Sequence, residues 1–259
     1  MRRPLLLVML LLALAACSAQ QGTGASTHTT RPPSLGACRV LEPADITQSN
    51  NDTDPVPCTE HHTAETFAVG SFPATVARRK VDDAALGAYV YPRCQSRFQR
   101  FLGGNQSLIL RSTVTWAWFR PSAEAWKQGA RWWRCDAVGG GAQSQSFLAL
   151  PRTAKGVLLG KPDDRWLLCA DGPSVAGSQK IPCSREHTWR AVTTIVLGRP
   201  GDPYPGDRLV EVRTRDYCSD SVGAWLNYPV DYDFGYTWFH EAEWKTGNRR
   251  SVCWAQTED

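Results

Sequence analysis

The sequence predicts an α+β protein built as two tandem, homologous small domains, each an antiparallel sheet packed with one helix and stapled by two disulfides. Three observations lead to that class. Setting one cysteine aside leaves an even number, a Pro-Cys motif occurs twice, and alternating and helical periodicities recur in the same order.

The N-terminus comes first. Met1-Arg2-Arg3 is a short basic region, and Leu5 to Leu14 is an apolar run of the length of a secretory leader, too short to span a bilayer. It ends in Leu14-Ala15-Ala16-Cys17, where small residues precede a cysteine in the manner of a bacterial lipobox. Residues 1–16 are therefore expected to be a lipoprotein signal peptide. Cys17 would carry the lipid, placing the mature protein on the extracytoplasmic face of the cell membrane. Two or more acyl chains hold firmly, since each buried methylene contributes about 0.8 kcal/mol. The plain alternative is an ordinary signal peptide cut nearby. Residues 17–34 are a flexible tether: Gln, Gly, Thr, Ser and Pro dominate it, and it has no apolar side chain larger than alanine with which to offset ordering entropy.

Nine cysteines less Cys17 leave eight, which in an oxidising compartment reads as four disulfides. Parity alone does not select a pairing. The repeat narrows it. Val56-Pro57-Cys58-Thr59-Glu60-His61-His62-Thr63 reappears as Ile181-Pro182-Cys183-Ser184-Arg185-Glu186-His187-Thr188. Trp118-Phe119, then Trp126-Lys127-Gln128-Gly129-Ala130-Arg131 leading to Cys135, matches Trp238-Phe239, then Trp244-Lys245-Thr246-Gly247-Asn248-Arg249 leading to Cys253. The expected units are residues 35–143, with Cys38, Cys58, Cys94 and Cys135, and residues 144–259, with Cys169, Cys183, Cys218 and Cys253.

Each unit is read in order. Thr63 to Val69 alternates as a strand. Val81 to Leu102 is a helix, with Leu86, Val90, Cys94 and Phe98 on one face and Gly103-Gly104 as its stop. Leu108 to Phe119 is a β-rich run, Pro121 to Gly129 a turn or short helix, and Arg131 to Val138 a strand. The second unit repeats this with a strand at Trp189 to Leu197, a helix near Arg208 to Leu226, and strands near Tyr232 to Phe239 and Ser251 to Ala255. A duplicated unit should be stapled within itself, and a helix laid on a sheet brings their cysteines into reach. The expected bridges are Cys94–Cys135 and Cys218–Cys253, leaving Cys38–Cys58 and Cys169–Cys183. Cross-pairing between the units is the rival arrangement.

These residues resemble the actinobacterial septum-formation-related domain family, whose exported or tethered members carry a Val-Pro-Cys-x-x-x-His-x-x-Glu type motif, often twice. The first unit has the full form, Cys58, His62 and Glu65; the second keeps Cys183 and His187 but has Arg190 in place of the acid. The resemblance covers residues 35–259 and implies a link to cell division or envelope assembly.

The chemistry-bearing residues set the functional expectation. Cys-His spacing at His62 and His187 is compatible with a metal site, yet the cysteines are evenly numbered for disulfides, so a structural or binding role is expected. A nucleophilic Cys-His pair needs a free thiolate, and none remains. Neither a Gly-x-Ser-x-Gly elbow nor a His-Glu-x-x-His motif nor a phosphate loop occurs. Glu60, Glu65, Asp82 and Asp83 are the candidate carboxylates. Of eleven tryptophans, Trp118, Trp126, Trp238 and Trp244 recur and are assigned to the cores; Trp116 and Trp132 have no aromatic counterpart in the second unit. Alternation turns Trp132 away from the face of Trp133 and Cys135, which predicts an exposed binding spot beside Arg131 or Arg134, or partial burial between the units. The formal charge of +4 includes Arg2 and Arg3, and no basic run suits nucleic acid. The expectation is a non-enzymatic binding or scaffold module of the cell envelope. It has no cofactor, a membrane contact through Cys17, and an envelope or division protein as partner. The alternatives are an enzyme on envelope polymers and a small-molecule or metal carrier.

Overall fold

A computed structural model describes residues 30–78, 80–141, 144–245 and 247–257. The expected signal peptide and Cys17 lie outside the described residues. The fold is α+β. In the first half, β1 (Cys38–Arg39), β2 (Ala64–Ser71), β3 (Thr115–Phe119) and β4 (Trp132–Val138) form a sheet in the order β1-β2-β4-β3. In the second half, β5 (Leu168–Asp171), β6 (Gln179–Pro182), β7 (Trp189–Val196), β8 (Phe234–Thr237) and β9 (Arg250–Gln256) form a sheet in the order β6-β5-β7-β9-β8. All the named pairings are antiparallel.

The two sheets correspond strand for strand. β1, β2, β4 and β3 stand where β5, β7, β9 and β8 stand, and an isolated bridge from Val56 to Cys38 occupies the place of β6 beside β5. Each long strand is bulged at the same point, between Thr66 and Ala68 and between Ala191 and Thr193. The bulge turns Phe67 and Val192 into the cores beneath the helices.

The helices follow from their patterns and caps. Helix α1 (Asp83–Leu102) buries Leu86, Val90, Cys94, Phe98 and Leu102, one residue per turn. Asp82 caps its start by accepting from the Ala85 amide, and Gly103 ends it at φ +76°, a left-handed conformation that favours glycine. Helix α4 (Asp207–Trp225) buries Val210, Thr214, Cys218 and Val222 against the second sheet. Among the described residues there are also three five-residue helices, α2 (Gln106–Leu110), α3 (Ala123–Lys127) and α5 (Glu241–Lys245). Helix α2 corrects the expected β-rich run from Leu108. Asn105 accepts from the Leu108 amide as an N-cap, so the run starts helical and only Thr115–Phe119 is extended.

All four expected disulfides are present: Cys38–Cys58, Cys94–Cys135, Cys169–Cys183 and Cys218–Cys253, with Cα separations of 5.3, 5.9, 4.9 and 5.1 Å. Two of them tie a helix to the central strand below it.

The register revises the tryptophan correspondence. Trp118 lies opposite Cys135 and Tyr236 lies opposite Cys253, so Tyr236, not Trp238, is the structural counterpart of Trp118. Trp116 likewise has an aromatic counterpart, Phe234, contrary to expectation. The repeated Trp-Phe dipeptides differ in spacing from the next tryptophan by two residues, which hid this shift.

The halves interlock. Leu150, Ala154, Leu158 and Trp166, which follow the expected boundary at 143/144, pack into the first core with Phe98, Leu102 and Trp133. Helix α2 reaches the second sheet, where Thr194 donates to Ser107 at 2.7 Å and Arg250 donates to Gln106 at 3.2 Å. An isolated bridge joins Ser112 to Leu167.

Candidate functional site

The repeated motif builds the same turn twice. In each, the disulfide fixes the first residue, and the histidine five residues into the turn closes it. The Nδ1–H of His62 donates to the Glu60 carbonyl at 2.8 Å, and that of His187 donates to the Arg185 carbonyl at 2.7 Å. A carbonyl only accepts, so both rings are held as the Nδ1–H tautomer or the cation. Both histidines are buried, and each hydrogen bond closes its turn from within.

The next motif position ties the turn to the segment joining the sheets. The Glu65 carboxylate accepts from the Thr153 hydroxyl at 2.9 Å and from the Ala154 amide at 2.7 Å. Arg190, in the same register place, pairs with Asp164. The other candidate acids are dispersed: Asp82 caps α1 and Asp83 pairs with Arg120. Hydrogen bonding from that guanidinium is the main reason the Asp83 carboxyl is held below its ordinary range.

The second repeated block is structural as well. The indole N–H groups of Trp126 and Trp244 donate to the carbonyls of Arg78 and Asp202, each at 3.1 Å. Arg131 and Arg249 lie over the Trp126 and Trp244 rings at 4.2 and 3.6 Å, and each donates back to its own tryptophan's carbonyl.

Trp132 is a correction. It is 3% exposed and packs against Ala125 and Ala130. Alternation did turn it to the far face of β4, but that face is covered by a second layer rather than by water. Residues 39–53 supply much of the cover, and within it lies a buried polar network. Asp136 accepts from Thr66 at 2.7 Å and from Arg134 at 2.9 Å; Arg39 donates to Thr66 at 2.9 Å, and Arg134 donates to Asn51 at 2.8 Å. Arg134 also lies over Phe119. Burial first, and the nearby Arg134 charge second, lower the Arg39 pKa. The equivalent positions in the second half are Ala170, Ala191, Val252 and Trp254, all in one apolar cluster.

Among the described residues, one group has metal-ligand proximity: Cys169, Cys183 and His187, whose ligand atoms lie within 4.8 Å of one another. The two sulfurs are bonded to each other, so the thiolates a metal needs do not exist in this state.

What the sequence reasoning missed is the cleft between the halves. It encloses about 550 Å³. The segment from Ile109 to Trp116 lines one side, the segment from Ser178 to Pro182 lines the other, and Leu148 and Leu168 contribute to the floor. Both β3 and β6 are edge strands, so the cleft lies where two sheets end. Among the described residues its lining contains two cations, Lys180 and Arg185, and no carboxylate. The one signal in the sequence was inside the repeated motif, where Arg185 stands in the place of Glu60.

No helix among the described residues is long and apolar enough to cross a membrane. No curated protein and no solved structure matches the chain. A family model described as septum formation matches residues 35–253, most of the chain. The repeated Pro-Cys-x-x-x-His turns, the two bridges they belong to and this match agree: the chain belongs to the septum formation family.

Proposed function

We propose that this chain is a lipid-anchored, extracytoplasmic binding or scaffold module that serves septum formation without catalysing a reaction. Family membership supports the septum-related role. The lipobox at Leu14 to Cys17 supports the anchor, and four disulfides fit an oxidising compartment. The matched sheet orders support reading the chain as a duplicated unit, 35–143 and 144–259.

The observation that carries the reading is the cleft: among the described residues it is lined by apolar groups, hydroxyls and two cations, and by no carboxylate. Hydrolysis of envelope glycans by the usual route needs a pair of acids flanking the bond, one to protonate and one to activate or attack. Here Glu65, Asp82 and Asp83 each serve a separate structural partner.

The experiment is a comparison of the native chain with Cys17→Ala in dividing cells. The native protein should sediment with membranes, carry acyl groups at the N-terminus by mass spectrometry, and concentrate at septa as a fluorescent fusion. The variant should be released from membranes. Cleavage of purified envelope polymer by the native protein, or an unacylated N-terminus, would overturn the reading.

A further inference from the structure

We propose that the cleft between the two sheets binds an amphiphilic anion, with an apolar body over the floor and a single anionic head held by Lys180 and Arg185. The inference rests on the binding-module reading and names the chemistry of its ligand.

The size comes first. A cleft of about 550 Å³ lies within the roughly 300–1,000 Å³ of small-molecule sites, which are mostly apolar with a few placed polar groups. Ile109, Leu110, Val114, Trp116, Leu168 and Ile181 give this one its apolar walls. They come from both halves of the chain, so the site exists only in the assembled fold.

Charge then selects the head. Lys180 is half-buried, and its ammonium donates to the carbonyls of Val175 and Ser178, the latter at 2.9 Å. The ammonium also lies 5.4 Å from the centre of the Trp254 ring, and of its three N–H donors one is not used by the two carbonyls. Burial lowers its pKa, as expected where a charge has been taken from water without an anion beside it. Arg185 is the second cation. Its backbone is fixed by the Cys169–Cys183 bridge, by its own amide donating to the Pro182 carbonyl at 3.1 Å, and by His187 donating to its carbonyl. Its guanidinium has no ion-pair partner among the described residues, and its exposed side chain lines the cleft.

Neither cation is required by the turn. The first half builds the same turn with Glu60 in place of Arg185 and with Pro55 in place of Lys180, counted from the matched bridges at Val56 and Ile181. A neutral ligand would leave the charges without a counterion, and a cation would be repelled. An apolar molecule with one carboxylate or phosphate satisfies both the walls and the charges.

The test uses the full chain with Cys17→Ser, exported without lipid, and the probe 11-(dansylamino)undecanoic acid, followed by its fluorescence. Saturable one-to-one binding is expected. The methyl ester of the probe, which lacks the charge, should bind at least tenfold more weakly. Arg185→Glu changes an exposed side chain and should weaken the acid at least tenfold while leaving the circular dichroism and disulfide map unchanged. Lys180→Met should do the same. Inorganic phosphate, which has the charge without the body, should not displace the probe at equal concentration.

Equal binding of acid and ester would overturn the anionic head, and full displacement by phosphate would overturn the apolar body. Binding unaffected by either variant would place the probe elsewhere. Absence of probe binding, with saturable binding of an acidic extended peptide instead, would assign the cleft to strand addition at β6. None of these outcomes changes acylation or septal position, so a failure here is separable from a failure of the wider reading.

Discussion

Glu65 and Arg190 occupy the same place in their two sheets, opposite Cys38 and Cys169, and each reaches into the segment that joins the halves. Glu65 holds the segment near Ala154, and Arg190 holds it at Asp164. Opposite charges at one repeated position thus do the same mechanical work. The motif residue that differs between the repeats has not lost its role; its partner has changed with it.

The two clamps differ in burial, so their removal should differ in cost. Glu65→Ala strands a buried backbone amide and a hydroxyl and should cost about 1–3 kcal/mol. Arg190→Ala breaks a pair whose acid is half exposed and should cost less than about 1 kcal/mol. Urea denaturation of the three proteins checks this, and equal losses would show that burial does not set the difference.

Asp136 is the buried acid of the network, paired with Arg134 and near Arg39. Asp136→Ala leaves the buried Arg134 guanidinium without its ion-pair partner, and Arg39 with only the exposed Asp54 nearby, and should destabilise by about 3–5 kcal/mol. A midpoint shift under about 1 kcal/mol in denaturant would mean that water enters the network.

The disulfides should reduce in a set order. Cys58 is the bridge cysteine nearest solvent; Cys94, Cys135, Cys218 and Cys253 are fully buried. Mild dithiothreitol followed by alkylation should label Cys38 and Cys58 first, read by peptide mass mapping. First labelling at Cys94–Cys135 or Cys218–Cys253 would count against the burial order.

Stability should fall in acid partly through Asp83. Its folded pKa is lowered, so its contribution is complete above the unfolded value of about 3.9 and is lost as pH falls through the folded one. The side chain is nearly half exposed, so the effect should stay under about 1 kcal/mol. Asp83→Asn should remove that share of the acid limb in urea midpoints taken from pH 2 to 7. Parallel curves for the two proteins would exclude the group.

Much of the fold was legible because its signals are local or repeated. Helix α1 showed helical spacing and a stopping glycine, helix α4 was placed as its repeat, and β2 alternated. The run from Leu108 misled because its apolar residues fit either element, and the deciding signal, Asn105, is a single cap. The tryptophan correspondence failed for a related reason. Dipeptide identity competed with strand register, and hydrogen bonding to β4 and β9 decided for register.

The sequence by itself determined the two long helices, the long strands, the family and the cysteine pairing. Periodicity is written in neighbouring residues, and a repeated motif states twice which cysteines belong together. Only the tertiary structure decided what covers each face and what meets between the halves. Trp132 faces away from the first core as alternation requires, but whether that face meets water depends on α3, which covers Trp132, and on residues 39–53 folding back beside it. Ala154 meets Glu65 across 89 residues of chain, and the cleft exists because the edges of two sheets come together. Contacts between segments far apart depend on packing free energy summed over the whole chain, and no local pattern records it.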